Sequence, residues 1–214
     1  MSTIVPTILT DDEKVYKDLV GKFHKFSLRV QVDVTDGVFA ETTTLKEDHV
    51  WWPEGWEVDI HMMVEKPSEH MDTLLNLKPS MIILHAEVEE DISSLLNIIK
   101  KSGIRAGVAL QKQTFPGHVA QALHLADHAM IFSGELGKQG GHASLMQLEK
   151  VRLIRQINPE IEIGWDGGVR VDNAFTISQG GVDVLNVGSA ITDAPNPEVV
   201  YKALMTEINK HGIF

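Results

Sequence analysis

Two aspartates lie far apart in the chain, each at the carboxyl end of a short apolar run: Asp33 in "SLRVQVDV" (27–34) and Asp166 in "EIEIGWD" (160–166). Carboxylates that face each other across a substrate carbon can act as base and acid in one reaction. Gln31 stands two positions before Asp33, and alternate residues of a strand share a side, so amide and carboxylate point the same way. Three more polar groups end comparable runs: Thr7 in "TIVPTIL" (3–9), His61 in "WEVDIHMM" (56–63) and His85 in "SMIILHA" (80–86). His61 has the chemistry to share a metal ion with both aspartates. Taken singly, each residue is better explained as a capping group or satisfied polar contact, but their convergence on one face would make a site.

Glycine-rich segments form a second group. "DGGVRVDNA" (166–174) and "NVGSAIT" (186–192) each set Gly directly after an apolar run and before a helical pattern, and "GELGKQGGHA" (134–143) adds a third loop. Backbone N–H groups exposed in such turns bind anions, phosphate among them. Gly140, Gly141, Gly167, Gly168, Gly188 and Ser189 are therefore the candidate phosphate-binding positions.

These residues share a site only if the runs that carry them are parallel strands of one sheet. Eight short β-branched runs are present, the remaining three being "IRAGVAL" (104–110), "HAMIFSG" (128–134) and "VDVLNVG" (182–188). Helical patterns separate them, as in "EDISSLLNIIKKSG" with acids first, Lys-Lys last and a Gly stop. Others lie around 11–24, 67–76, 117–126, 144–157, 171–180 and 197–211, whereas 35–55 shows no helical period and reads as a loop with at most a short helix. Parallel strands need long crossovers, and eight of them close into a (β/α)8 barrel whose strand ends converge on one face. No GxGxxG follows the first strand, which argues against a dinucleotide-binding open sheet. The expected architecture is one (β/α)8 TIM barrel domain spanning 1–214.

Composition narrows the partners. Thirty acidic against 19 basic residues, a formal charge of −11, argue against a nucleic-acid footprint. No run of about 18 apolar residues suggests a membrane span, and the first residues lack the pattern of a secretory signal, so a cytoplasmic protein is expected. The absence of cysteine leaves His, carboxylate and amide or carbonyl groups as metal ligands. Trp51, Trp52 and Trp56 suit the docking of a long loop or a subunit interface better than ligand stacking. Met62 and Met63 suit packing of the core and mouth. His24, His70, His118, His124, His128 and His211 read as surface histidines, with His142 set apart by its glycine loop.

Over nearly its full length the chain resembles the ribulose-phosphate 3-epimerase family. The matching segments are "VPTIL" (5–9), "VDVTDGVF" (32–39), "VDIHMMVEKP" (58–67), "LHAE" (84–87), "GVAL" (107–110), "DGGV" (166–169) and "DVLNVGSAI" (183–191), of which the Asp-x-His-x-Met-Val run is the most specific. The resemblance implies inversion at C3 of a ketose phosphate, ribulose 5-phosphate to xylulose 5-phosphate, through an enediolate stabilised by a divalent ion (zinc, manganese, iron, cobalt or magnesium). Asp33 and Asp166 match its two acid–base residues, which are also metal ligands, and His61 matches a histidine ligand. Thr7 falls on a substrate-contacting serine, and Gly167, Gly168, Gly188 and Ser189 fall on phosphate-binding positions. The resemblance further implies association of copies into a homo-oligomer.

Departures from the family pattern are local. Gln31 stands where the family has a histidine ligand, Thr35 replaces a methionine, and "GKQGGH" replaces a "GFGGQ"-like phosphate loop. A neutral amide oxygen is a weaker zinc ligand than imidazole, so harder ions gain ground. The alternative reading is a catalytically silent phosphosugar-binding barrel, or one acting on another ketose phosphate. A lyase like the related decarboxylases would need a lysine where this chain has Thr35.

Overall fold

The computed structural model describes residues 2–210. Eight parallel strands close a barrel in chain order: β1 (Thr3–Ile8), β2 (Arg29–Thr35), β3 (Glu57–Met63), β4 (Met81–His85), β5 (Arg105–Leu110), β6 (His128–Phe132), β7 (Glu162–Asp166) and β8 (Val184–Val187). All eight expected runs are strands, and β1 pairs with β8 to complete the ring. Helices α1 (Glu13–Phe23), α2 (Met71–Leu77), α3 (Ile92–Lys101), α4 (Ala120–Leu125), α5 (Glu149–Ile157), α6 (Val171–Gln179), α7 (Ser189–Thr192) and α8 (Pro197–Ile208) lie between and after them. The (β/α)8 fold is thus the observed one.

Local chemistry sets the helix ends. The Asp12 carboxylate accepts the backbone N–H of Lys14 and Val15 at the start of α1, and Asp91 accepts that of Ser94 at the start of α3. The patterns at 67–76, 117–126 and 144–157 each open with a 3-10 turn before the α-helix. In the first two, Pro67 and Pro116 occupy the opening turn, where a missing N–H costs nothing. Between β2 and β3 the described chain has an isolated antiparallel bridge, Asp36 to Thr43, and a three-residue 3-10 turn, Glu47–His49, but no α-helix, in agreement with the aperiodic sequence there. The expected last helix reached residue 211, but α8 ends at Ile208, and His211 lies outside the described residues.

Strand alternation divides the apolar residues into two sets. Ile60, Met62, Ile82, Leu84 and Ile131 face the helices in the larger core, while Met63, Met81, Ile83, Met130 and Phe132 fill the barrel interior. The two methionines thus serve packing, as expected. The interior's amino-terminal end is polar instead. Arg29 donates to Glu162 twice, at 3.0 and 2.9 Å, and to Asp59 at 2.8 Å, while His128 Nδ1 lies 2.7 Å from Glu162. This network corrects the reading of His128 as a surface group: it is 1% exposed, because inward-pointing β6 places its ring over Gly164, where any Cβ would collide with it. His24, His118, His124 and His142 are exposed, and His70 is half-buried against Glu47.

The tryptophans anchor the long β2–β3 connection outside the barrel. Trp56 is buried, Trp52 packs on the main core, and the carbonyl of Trp51 accepts the Tyr16 hydroxyl of α1 at 2.7 Å. None of the three lines the pocket at the barrel mouth.

Candidate active site

Parallel registration brings the polar strand ends together. Asp33 on β2 is the register partner of His61 on β3, and Asp166 on β7 is that of Asn186 on β8. The His61 Nδ1 lies 3.0 Å from Asp33 Oδ1 and 4.0 Å from Asp166 Oδ2. Gln31, one inward step below Asp33, donates its amide nitrogen to Asp33 Oδ1 at 2.8 Å and to Asp166 Oδ2 at 2.6 Å. The two carboxylates therefore share one bridging donor.

The electrostatics follow from burial. Asp166 is largely withdrawn from water and faces a second carboxylate, so burial first, and the charge of Asp33 next, push its carboxyl up to about 7. Beneath the aspartates His61 Nε2 meets His85 Nε2 at 2.9 Å, and His85 Nδ1 lies 3.1 Å from Glu87. Burial pulls His85 down to about 4. Glu87 stays below the ordinary carboxylate range despite the burial that would raise it, because His85, the Thr114 hydroxyl and the Gln111 N–H all donate to it. Phe39 and Phe132 pack on the two imidazoles with ring centroids 5.1–5.7 Å apart, which keeps this floor dry.

A divalent ion fits this set. Asp33, His61 and Asp166 each offer a ligand atom, and these atoms lie within 4.8 Å of one another. Gln31 presents its nitrogen, but its Oε1 is buried with no partner. A half-turn of the amide would bring that oxygen to the carboxylates as a fourth ligand. Two carboxylates, an imidazole and an amide oxygen suit hard or borderline divalent ions.

Above the aspartates a pocket opens among the loops after β1, β6, β7 and β8. Thr7, Asp33, Asp166 and Asn186 line its base, Gly140, Gly141, Gly167, Gly168, Gly188 and Ser189 its upper wall, and Met63 and Phe132 contribute apolar surface. The expected residues thus surround one cavity, except His61 and Gln31, which are fully buried beneath it. At Gly168 the backbone has φ +71°, and a Cβ would run into the backbone of His142 and Ala143, so the β6 and β7 loops touch only because no side chain intervenes. At Gly188 a Cβ would stand 2.9 Å from the Thr7 hydroxyl.

Several lining residues were not anticipated. Asn186 is 2% exposed with an unpartnered Oδ1; a polar residue inside the otherwise apolar stretch "VLNV" (184–187) was the available signal. Lys138, Gln139 and Arg170 also line the pocket, and their position inside the glycine-rich loops could have marked them. Glu87 was missed because its contact with His85 is set by the β4 and β5 loops.

Comparison with known proteins agrees with this geometry. The model of the ribulose-phosphate 3 epimerase family matches residues 3–192. The ribulose-phosphate 3-epimerase of Aquifex aeolicus is 28% identical over 95% of this chain and 96% of its own length. That of Helicobacter pylori strain J99 is 30% identical over 82% and 84%, and that of Schizosaccharomyces pombe 26% over 97% and 94%. Among solved structures, a 3-hexulose-6-phosphate synthase superimposes with a TM-score of 0.76 at 14% identity, covering 96% of this chain and 99% of that one, and shares the fold. The chain belongs to the ribulose-phosphate 3 epimerase family, and with it to the epimerases that act on carbohydrates.

Proposed function

We propose that the protein inverts C3 of a ketose phosphate, ribulose 5-phosphate to xylulose 5-phosphate, by proton transfer between two aspartates. The observation that carries the reading is the placement of Asp33 and Asp166 at the base of one pocket beneath the glycine loops. Backbone N–H groups around Gly140, Gly141, Gly167, Gly168, Gly188 and Ser189 would hold the phosphate, with Lys138 and Arg170 adding positive charge at the same wall. Anchoring at that end sets the sugar carbons over the aspartates, next to Thr7 and Asn186.

One aspartate removes the C3 proton, leaving a planar enediolate, and the other delivers a proton to the opposite face. Burial and the facing charge of Asp33 raise the Asp166 carboxyl when no ion is bound, and the reaction requires that the pair share one proton. A divalent ion held by Asp33, His61 and Asp166, with Gln31 on rotation of its amide, would supply positive charge beside the enediolate oxygens. Met63 and Phe132 limit the water that could quench the carbanion. We further propose a one-domain cytoplasmic enzyme whose copies associate, which light scattering and sedimentation of the purified protein test. Among the described residues no helix is long and apolar enough to cross a membrane.

The test is proton NMR of ribulose 5-phosphate in D2O with metal-stripped protein, to which zinc, manganese, iron(II), cobalt or magnesium ions are added in turn. Loss of the C3 hydrogen signal with formation of xylulose 5-phosphate is expected. Folded protein that causes no exchange with any ion would reject this substrate, and tight binding of the phosphosugar under the same conditions would favour a silent binding barrel.

A further inference from the structure

Hydrogen-bond accounting beneath the aspartates assigns a role to two residues that touch neither the pocket nor the aspartates. Glu87 Oε1 accepts the Gln111 backbone N–H at 2.8 Å and the Thr114 hydroxyl, and its Oε2 lies 3.1 Å from His85 Nδ1. An ionised carboxylate can only accept, so His85 Nδ1 carries the proton of that contact. A neutral His85 then has a lone pair at Nε2, which faces His61 Nε2 at 2.9 Å, and His61 must donate there. The remaining His61 nitrogen, Nδ1, is left with its lone pair directed at Asp33 Oδ1, 3.0 Å away, and toward Asp166. A lone pair opposed to two carboxylates is relieved by a positive charge placed between them, which is what a divalent cation shared with both aspartates supplies.

We propose that Glu87, acting through His85, is a positioning residue that fixes His61 in the tautomer protonated on Nε2, so that Nδ1 is offered to a divalent cation shared with the aspartates. The inference rests on the reading that Asp33, His61 and Asp166 hold an ion. It deepens that reading by naming the chain of donors that makes His61 a ligand. Both imidazoles are fully buried and packed against Phe132, His61 tilted at 51° and His85 edge-on at 81°, so neither ring can turn to exchange its nitrogens without disturbing the barrel floor. A histidine ligand whose second nitrogen is held by a buried partner is a recurrent way of setting ring orientation and basicity.

The substitution Glu87→Gln reverses the polarity at almost constant shape. The new amide must keep its oxygen on the Gln111 N–H, which leaves its NH2 group facing His85 Nδ1. His85 then carries its proton on Nε2, His61 Nε2 becomes the acceptor, and the His61 proton moves to Nδ1, where it competes with the cation. His85→Gln is the conservative control, because an amide there can accept from His61 Nε2–H while donating to Glu87.

The experiment combines two-bond proton–nitrogen correlation of the histidine rings in the zinc-loaded protein with zinc affinity measured by competition against a chromophoric chelator. The wild type is expected to show His61 protonated on Nε2 and His85 on Nδ1. Glu87→Gln should bind zinc about 10–100-fold more weakly, with His85 protonated on Nε2, and His85→Gln should stay within a few-fold of wild type. A folded Glu87→Gln with unchanged affinity overturns the inference. If that variant does not fold, the wild-type ring pattern decides: a His85 proton on Nε2 in protein that binds zinc sinks the inference alone, whereas failure of the wild type to bind any divalent ion sinks the metal reading beneath it.

Discussion

The Gln31 amide donates to the Asp166 carboxylate at 2.6 Å across 135 positions of sequence, tying β2 to β7 through the barrel interior. The same nitrogen reaches Asp33, so Gln31 works between the carboxylates as a neutral donor. Replacing it with histidine puts an imidazole where an amide now stands. Gln31→His is expected to raise zinc affinity on the order of tenfold or more, since imidazole is the better ligand for zinc, and to shift the most effective ion for turnover toward zinc. Chelator competition and a metal-reconstitution series check both statements.

The two-aspartate reading makes an asymmetric prediction. Each carboxylate faces one side of C3, so Asp33→Asn and Asp166→Asn should each lower epimerisation by roughly 10²–10⁴-fold, the usual worth of a positioned acid or base. Exchange of the C3 hydrogen with D2O should persist for one epimer in each variant, and the surviving epimer should differ between the two. Equal loss of exchange from both epimers in both variants would count against separate faces and tie the aspartates to holding an ion alone.

The glycine wall predicts a binding defect. A Cβ at Gly188 would crowd the Thr7 hydroxyl and the Gln139 amide, side-chain rather than backbone atoms, at a position whose backbone is not left-handed. Gly188→Ala should therefore fold with little change in Tm while raising KM for the phosphorylated sugar by on the order of tenfold, with a smaller effect on kcat. Gly168→Ala should instead lower Tm as well, because there the obstacle is the backbone of His142 and Ala143 and the φ of +71° disfavours a side chain.

At the opposite end of the barrel the prediction concerns stability and pH. Glu162 is held far below the ordinary carboxylate range despite its partial burial, because His128 and Arg29 donate to it. A depressed carboxylate contributes stability above its unfolded pKa of about 4.3, and that contribution fades as pH falls toward the folded value. Glu162→Gln should cost about 1.5–3 kcal/mol at pH 7 and leave turnover unaffected, since the cluster lies at the far end of the strands. Urea unfolding from pH 7 down to pH 3 should show the gap between variant and wild type closing in acid.

The sequence by itself determined the architecture and named most of the residues that line the candidate site. Eight β-branched runs alternating with capped, amphipathic segments admit few closures, and every expected strand is present because parallel strands buried on both faces read as continuous apolar runs. Asp33, His61 and Asp166 were legible as a set because each ends an apolar run and the parallel strands bring those ends to one face. What the tertiary structure alone decided are the partnerships: that Gln31 bridges both aspartates, that His61 leans on His85 and Glu87, that Asn186 joins the pocket base, and that His128 is buried over Gly164. These depend on register between strands and on side-chain direction across a closed ring, which bring His61 to Asp33 over 28 positions and Gln31 to Asp166 over 135. Local pattern shows which side of a strand a residue faces, but only closure of the barrel shows what faces it.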